Sequence, residues 1–291
     1  MMPDLMLPPA GEGPAGRLTP LPGEAAGTSG ARVVDAEVVA NSHRGDRYWR
    51  LRLYAPEVAA AASPGQFVML TVAGSPAGSP VLPRPMALYD WDSHAGWIDV
   101  LYGVVGAGSL LMTGFATDDR MTVVGPLGRG FALDPATRSI LLVGRGIGIC
   151  SLTALAGAAA RRGVHVTAVL SARSPAALTG QDVLSRYGIG DLVEVVDADG
   201  SSAPIRLAEA LIDKLDRQPP EQIFTCGSER LTALCAELAL RWNADLQVSL
   251  EARMACGLGY CHGCSSGRRT STEEAPLVCK DGPVFRWHEG E

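Results

Sequence analysis

Four of the chain's seven cysteines, Cys256, Cys261, Cys264 and Cys279, fall in one stretch near its end, spaced C-x4-C-x2-C-x14-C. No other feature limits the possible folds as tightly. Gly257, Gly259 and Gly263 punctuate the first three, and a backbone wrapping three thiolates around one centre needs the open φ/ψ range of glycine. The x4/x2 spacing with a distant fourth cysteine is the plant-type arrangement in which four thiolates hold a [2Fe–2S] cluster. Two readings compete with it. A four-cysteine zinc site favours two C-x2-C pairs, and only Cys261–Cys264 supplies one. Disulfides would require an oxidising compartment.

At 291 residues the chain is long enough for two domains and a small third. An apolar fraction of 47% suits packed cores, and a net charge of −6 without any basic run argues against a nucleic-acid surface. No apolar stretch is long enough to span a bilayer, and the first residues lack the basic start and apolar block of a signal peptide. A cytoplasmic location is therefore expected, where clustered thiols serve metals.

The expected order of segments begins with a disordered tail over residues 1–30, rich in Pro, Gly and Ala with no periodic apolar pattern. Short alternating strands follow at 32–40, 48–54, 66–72, 97–102 and 120–124, separated by turn-formers at 63–65 and 74–80, with one helical segment at 109–114. They suggest an antiparallel barrel over 31–134. Strands at 139–143, 164–170, 192–196, 222–225 and 245–250 alternate with helices at 149–160, 176–185, 207–215 and 228–242, giving a parallel α/β sheet over 135–247. A cluster domain over 248–291 completes the expected class, β plus α/β in several domains.

Two groups of residues suggest phosphate chemistry. Pro85 pushes Arg84 toward extended geometry, where a guanidinium can grip a phosphate through paired hydrogen bonds. Gly106-Ala107-Gly108-Ser109 offers backbone N–H groups beside a hydroxyl. Gly144-Arg145-Gly146-Ile147-Gly148 joins a strand to a helix, although it is not the G-x-G-x-x-G fingerprint, and Ser171-Ala172-Arg173 stands where an acidic ribose ligand would end the second strand. A turn that only lets the helix pack closely on the sheet would look the same. Cys226-Gly227 follows a strand at the sheet's carboxyl edge, where ligands bind, but a lone cysteine is more often a small buried residue, the reading taken in isolation for Cys226 and also for Cys150 and Cys235. The five histidines show no metal-ligand spacing, and no catalytic grouping stands out.

These segments together resemble the electron-transfer subunits of NAD-dependent dihydroorotate dehydrogenases, within the ferredoxin–NADP reductase superfamily. The likeness covers roughly Val33 to Phe285. The family's R-P-x-S flavin motif matches Arg84-Pro85-Met86-Ala87 with Tyr89 after it, and its G-x-G-T segment matches Leu101-Tyr102-Gly103 and Gly106–Ser109. G-P-L-G-x-G-F stands intact at Gly125–Phe131, and C-x-D-G-P-V-F at Cys279–Phe285. The resemblance implies FAD on the barrel, held by Arg84, Pro85, Met86, Ala87, Tyr89, Leu101, Tyr102, Gly103, Gly108 and Ser109. It implies NAD(H) at Gly144, Arg145, Gly146, Gly148, Cys226 and Gly227, and a [2Fe–2S] cluster on the four cysteines. It further implies a hetero-oligomer with an FMN-containing catalytic subunit, which would hold the substrate site. A reductase for another flavoenzyme or a ferredoxin, with NAD(P)H use altered or lost, and a zinc-bearing scaffold are the alternatives. Three departures from the family stand out: Ala87 replaces a serine, Arg145 a glycine, and Cys150-Ser151 a small residue plus proline. The Arg145 side chain is expected either to turn outward toward a phosphate or to lie across the nicotinamide crevice.

Overall fold

The computed structural model describes residues 16–22, 30–72, 82–266 and 275–290. They form two compact units. One comprises Ala132–Ser249 with the stretches up to Thr19 and from Phe285, the other Pro20–Phe131 with Leu250–Val284. The stretch expected to be a disordered tail contains a strand, β1 (Gly16–Pro20). The rest of that stretch, 1–15 and 23–29, and the expected turn at 74–80 lie outside the described residues, apart from 21, 22 and 30.

The second unit is a curled antiparallel sheet. Its elements are β2 (Arg32–His43), β3 (Tyr48–Tyr54), α1 (Pro56–Ala61), β4 (Phe67–Thr71), β5 (Arg84–Ala87), β6 (Asp90–Asp92), β7 (Trp97–Gly103), α2 (Ala107–Met112) and β8 (Arg120–Leu127), with strand order β5-β4-β8-β2-β3-β7-β6. The two end strands are neighbours in sequence, joined by Leu88-Tyr89. The Leu88 N–H donates to Gln66 O at 3.0 Å and the Tyr89 N–H to Asp99 O at 2.9 Å. One bent stretch thus joins both edges and closes the barrel. In β3 alternation sends Leu51 and Leu53 into a core with Val38, Val68, Ile98, Val100 and Val123, each worth about 1.5–3 kcal/mol of burial. Arg50 and Arg52 fall on the opposite face. β5, expected only as a rigid extended segment, ends the strand order, where a proline lacking an N–H can be accommodated.

The first unit is α/β. It comprises β9 (Ser139–Arg145), α3 (Cys150–Arg161), β10 (His165–Ala172), α4 (Gln181–Arg186), β11 (Leu192–Val196), α5 (Pro204–Leu215), β12 (Gln222–Cys226), α6 (Glu229–Trp242), β13 (Asp245–Ser249) and β14 (Val284–Glu289), ordered β1-β14-β13-β12-β9-β10-β11. Strands β9 to β13 pair in parallel. The chain steps from β9 outward to β11, then returns to β12 on the other side of β9, so the strand order reverses between β9 and β12. Right-handed crossovers put α3 and α4 on one face, α5 and α6 on the other. The helix expected at 176–185 is broken by Gly180, whose φ of +101° no helix interior accepts, leaving the short α4.

The segment expected to carry the cluster is divided between the two units. Leu250–Val284 belongs to the barrel unit, and Phe285 onward to the α/β unit. Pro283 forms a parallel bridge with Arg129, and the Leu250 N–H donates to Pro283 O at 2.9 Å. The G-P-L-G-x-G-F and C-x-D-G-P-V-F stretches therefore meet.

Candidate cofactor sites

The fourth cysteine reaches the others through a short antiparallel contact. Ser265 bridges Leu277, the Val278 N–H donates to Cys264 O at 3.0 Å, and Cys264 Sγ lies 3.1 Å from Cys279 Sγ. This fits the x14 spacing: residues 267–274 lie outside the described set, and the residues on either side of them run antiparallel, bringing Cys279 beside Cys264. Backbone donors face the sulfurs. Leu258 and Cys261 N–H groups point at Cys256 Sγ, each at 3.4 Å, and the Gly259 N–H at Cys279 Sγ at 3.1 Å. Burial raises the Cys256 thiol's pKa, but the N–H groups of Leu258 and Cys261 outweigh it and bring the thiol down to about 7. Burial, then the Cys264 thiol beside it, pushes Cys279 up to about 12. Among the described residues no group of three or more His, Cys, Asp or Glu is arranged to hold a metal ion as the side chains stand. The donor set nonetheless suits iron–sulfur chemistry, with four thiols, one close pair and N–H groups aimed at sulfur.

On the barrel, Arg84 and the Gly106–Ser109 turn come together. A Cβ on Gly108 would stand 2.2 Å from Arg84 Nε, so the glycine leaves room for the guanidinium to lie against the turn. Among the described residues Arg84 donates to Leu82 O at 2.8 Å and pairs with no carboxylate. The Ser109 hydroxyl does not point outward. It accepts from the Val105 and Gly106 N–H groups at 2.9 and 3.2 Å, and so shapes the turn. Leu101 and Tyr102 separate by the period of a strand. Leu101 pairs with Arg50 on the face away from the core, where the Arg50 guanidinium lies 5.7 Å from the Tyr89 ring centre. Tyr102 points into the core instead. Its hydroxyl donates to Asn41 Oδ1 at 3.1 Å, and burial pushes it up to about 12. Pro85, Met86 and Ala87 in β5 and Gly103 at the end of β7 are half-buried.

Sequence reasoning missed the groups beside Tyr89. Asp99, fully buried on β7, accepts from Arg50 Nε at 2.9 Å and Arg52 Nε at 2.8 Å. Arg52 also stacks 3.7 Å over the Trp97 ring. The alternation R-L-R-L in β3 hinted at it, but the partner appears only once β3 is paired with β7.

On the parallel sheet, β9 runs two residues beyond the expected strand, through Gly144 and Arg145. The β9–α3 and β12–α6 turns then touch backbone to backbone: a Cβ on Gly148 would stand 2.6 Å from Cys226 O, and one on Gly227 2.4 Å from Arg145 O. Gly144, Gly146, Gly148, Cys226 and Gly227 thus meet where the strand order reverses, the crevice at which open α/β sheets take ligands. Arg145 takes neither expected course. Its side chain runs sideways over β10 to the end of β11, donating to Ser171 Oγ at 3.0 Å and to Asp197 at 3.2 and 2.6 Å. Arg230 donates to the same carboxylate at 2.7 Å, and Ser202 Oγ also donates to it. Hydrogen bonds from Arg145 first, then Ser202, hold Asp197 well below the usual carboxylate range.

Residues 251–289 match the iron–sulfur cluster binding domain of dihydroorotate dehydrogenase B. The chain is 36% identical over 254 residues to the dihydroorotate dehydrogenase B (NAD(+)) electron transfer subunit of Geobacillus thermodenitrificans, covering 86% of this chain and 95% of the relative. The chain belongs to this family of electron transfer subunits. The Listeria innocua subunit is 33% identical over 88% of this chain and 97% of its own length. Among solved structures, the NADH-dependent reduced ferredoxin-NADP oxidoreductase matches with a TM-score of 0.71 and 26% identity, covering 87% of this chain and 88% of that one. Phthalate dioxygenase reductase, at a TM-score of 0.61 and 15% identity over 89% of this chain and 96% of that one, shares the fold. No helix among the described residues is long and apolar enough to cross a membrane.

Proposed function

We propose that this chain carries electrons between NAD(H) and an FMN-containing catalytic subunit of a dihydroorotate-dehydrogenase-like enzyme, through bound FAD and a [2Fe–2S] cluster. The observation that carries this reading is that the N–H-lined cysteine set and the Arg84–Gly108 cradle belong to one compact unit. Arg84 would hold the FAD pyrophosphate, with Tyr89, Leu101 and the backbone of Ala87, Tyr102 and Gly103 along the flavin. Ser109 supports the turn. Cys256, Cys261, Cys264 and Cys279 would ligate the cluster, and the Gly144–Gly148 turn with Cys226-Gly227 would receive the dinucleotide. FAD supplies the conversion the chain itself cannot perform, taking a hydride as an electron pair and releasing single electrons.

The cluster loop also presents a surface suited to a partner. Tyr260 is 90% exposed beside Cys261, with Leu258 close by in sequence and also exposed. An apolar rim around a thiol ligand suits a protein acceptor that must come close. Co-expression with an FMN-bearing dihydroorotate dehydrogenase subunit should yield a complex whose dihydroorotate oxidation reduces NAD+, and Tyr260→Asp should weaken it. Dihydroorotate oxidation by this chain alone, at the rate of the complex, would overturn the assignment of the substrate site to the partner.

A further inference from the structure

The Arg145 network has the form of an occupied anion site. Arg145 and Ser171 are register partners on β9 and β10, and Ala172 pairs with Val196, so Asp197 follows directly on the end of the adjacent strand. That adjacency lets one arginine span two strand ends. The Asp197 carboxylate takes two N–H groups from Arg145, one from Arg230 and the Ser202 hydroxyl. Two guanidiniums and a hydroxyl converging on one anion is how proteins hold a phosphate. The site lies at the carboxyl edge of the parallel strands, beside the turn assigned to the dinucleotide, and the exposed Arg173 follows β10 on the same edge. With four donors on two oxygens, Asp197 is poorly placed to accept a ribose hydroxyl. Two arginines against one carboxylate leave a surplus positive charge facing an incoming nucleotide.

We propose that Asp197 is a resident stand-in for a nucleotide phosphate, which takes its place on Arg145 and Arg230 when the dinucleotide binds. The inference rests on the reading of this unit as the dinucleotide site. Asp197 is then a specificity-determining residue that competes with the ligand. It sets how tightly the site takes phosphorylated nucleotides, and no contact of its own with the substrate is required. The recognised chemistry is a phosphate ester, borne either at the ribose 2′ position or in the pyrophosphate.

The test is calorimetric titration of the full-length, flavin-loaded chain with NAD+, NADP+, 5′-AMP and 2′,5′-ADP, in wild type, Asp197→Asn, Arg145→Ala and the double variant. Asp197→Asn should tighten binding about two- to fivefold, the ratio that corresponds to an exposed ion pair, and the gain should vanish in the double variant. A gain confined to NADP+ and 2′,5′-ADP identifies the 2′-phosphate. An equal gain for NAD+ and 5′-AMP identifies the pyrophosphate. Unchanged or weaker binding by Asp197→Asn overturns the proposal. If Asp197→Asn does not fold, Arg145→Ala decides alone: weaker binding supports the exchange, and unchanged or tighter binding overturns it. Nucleotide binding by none of the proteins overturns the dinucleotide reading itself, and the proposal with it.

Discussion

Each unit holds an Arg–Asp–Arg triad, and the two differ in burial. In the barrel, Asp99 is 0% exposed between Arg50 and Arg52. In the α/β unit, the Asp197 side chain is 38% exposed between Arg145 and Arg230. The same three groups thus do different work. A buried carboxylate stripped of its partners costs the fold several kcal/mol, so the first triad is fixed. An exposed one is screened by water and contributes little to stability, so the second can change partners. Arg84 is the third case, a guanidinium on a glycine turn that pairs with no carboxylate among the described residues.

The largest effect that would break this contrast is at Asp99. Asp99→Asn should lower stability by about 3–5 kcal/mol, because two guanidiniums lose their buried counter-charge, as urea denaturation of the flavin-loaded chain would measure. A loss below that of Asp197→Asn would dissolve the distinction between the triads. Arg84→Ala should weaken FAD retention by about ten- to a hundredfold, matching the roughly 1.5–3 kcal/mol of a hydrogen bond to a charged group. Flavin content after gel filtration checks it, and full retention would remove Arg84 from the site. Asp197→Asn should cost no more than about 1 kcal/mol in the same urea experiment.

The smallest effect is a pH dependence. Asp216 accepts from Arg241 Nε and Trp242 Nε1, each at 2.8 Å, and Arg241 first, then Trp242, lower its pKa to about 2. A carboxylate with a depressed folded pKa contributes stability that is fully present above its unfolded pKa of about 4. That contribution fades as pH falls toward 2. Thermal melts of wild type and Asp216→Asn should therefore differ at pH 6 and converge toward pH 2.

The sequence carried much of this because several of its signals are local. The cysteine spacing, the Arg84-Pro85 segment and the glycine turns each state their chemistry within a few residues. Strands β3, Tyr48–Tyr54, and β11, Leu192–Val196, lie at their expected bounds, and the other expected strands differ only at their ends. What stayed hidden depends on pairing. Strand β14 is built from the last residues of the cluster segment yet extends the sheet beside β13, and β1 joins its far side. Asp99 and Asp197 look like ordinary strand and surface acids until strand pairing, and for Asp197 also Arg230 of α6, sets two arginines against each. Arg145 was visible as a departure, but its direction was not, since its partner lies 52 residues away. The assignment of the cluster segment to the barrel unit likewise rests on contacts such as Pro283 with Arg129, which no spacing encodes.

The barrel unit is proposed to unite a flavin with a [2Fe–2S] centre on Cys256, Cys261, Cys264 and Cys279. The most direct measurement is cofactor analysis of the anaerobically purified full-length chain, combining its visible spectrum with metal and acid-labile sulfide determination. About one FAD, two irons and two sulfides per chain are predicted, with iron and sulfide lost together in Cys264→Ser while the flavin remains. Stoichiometric zinc without acid-labile sulfide would contradict the account.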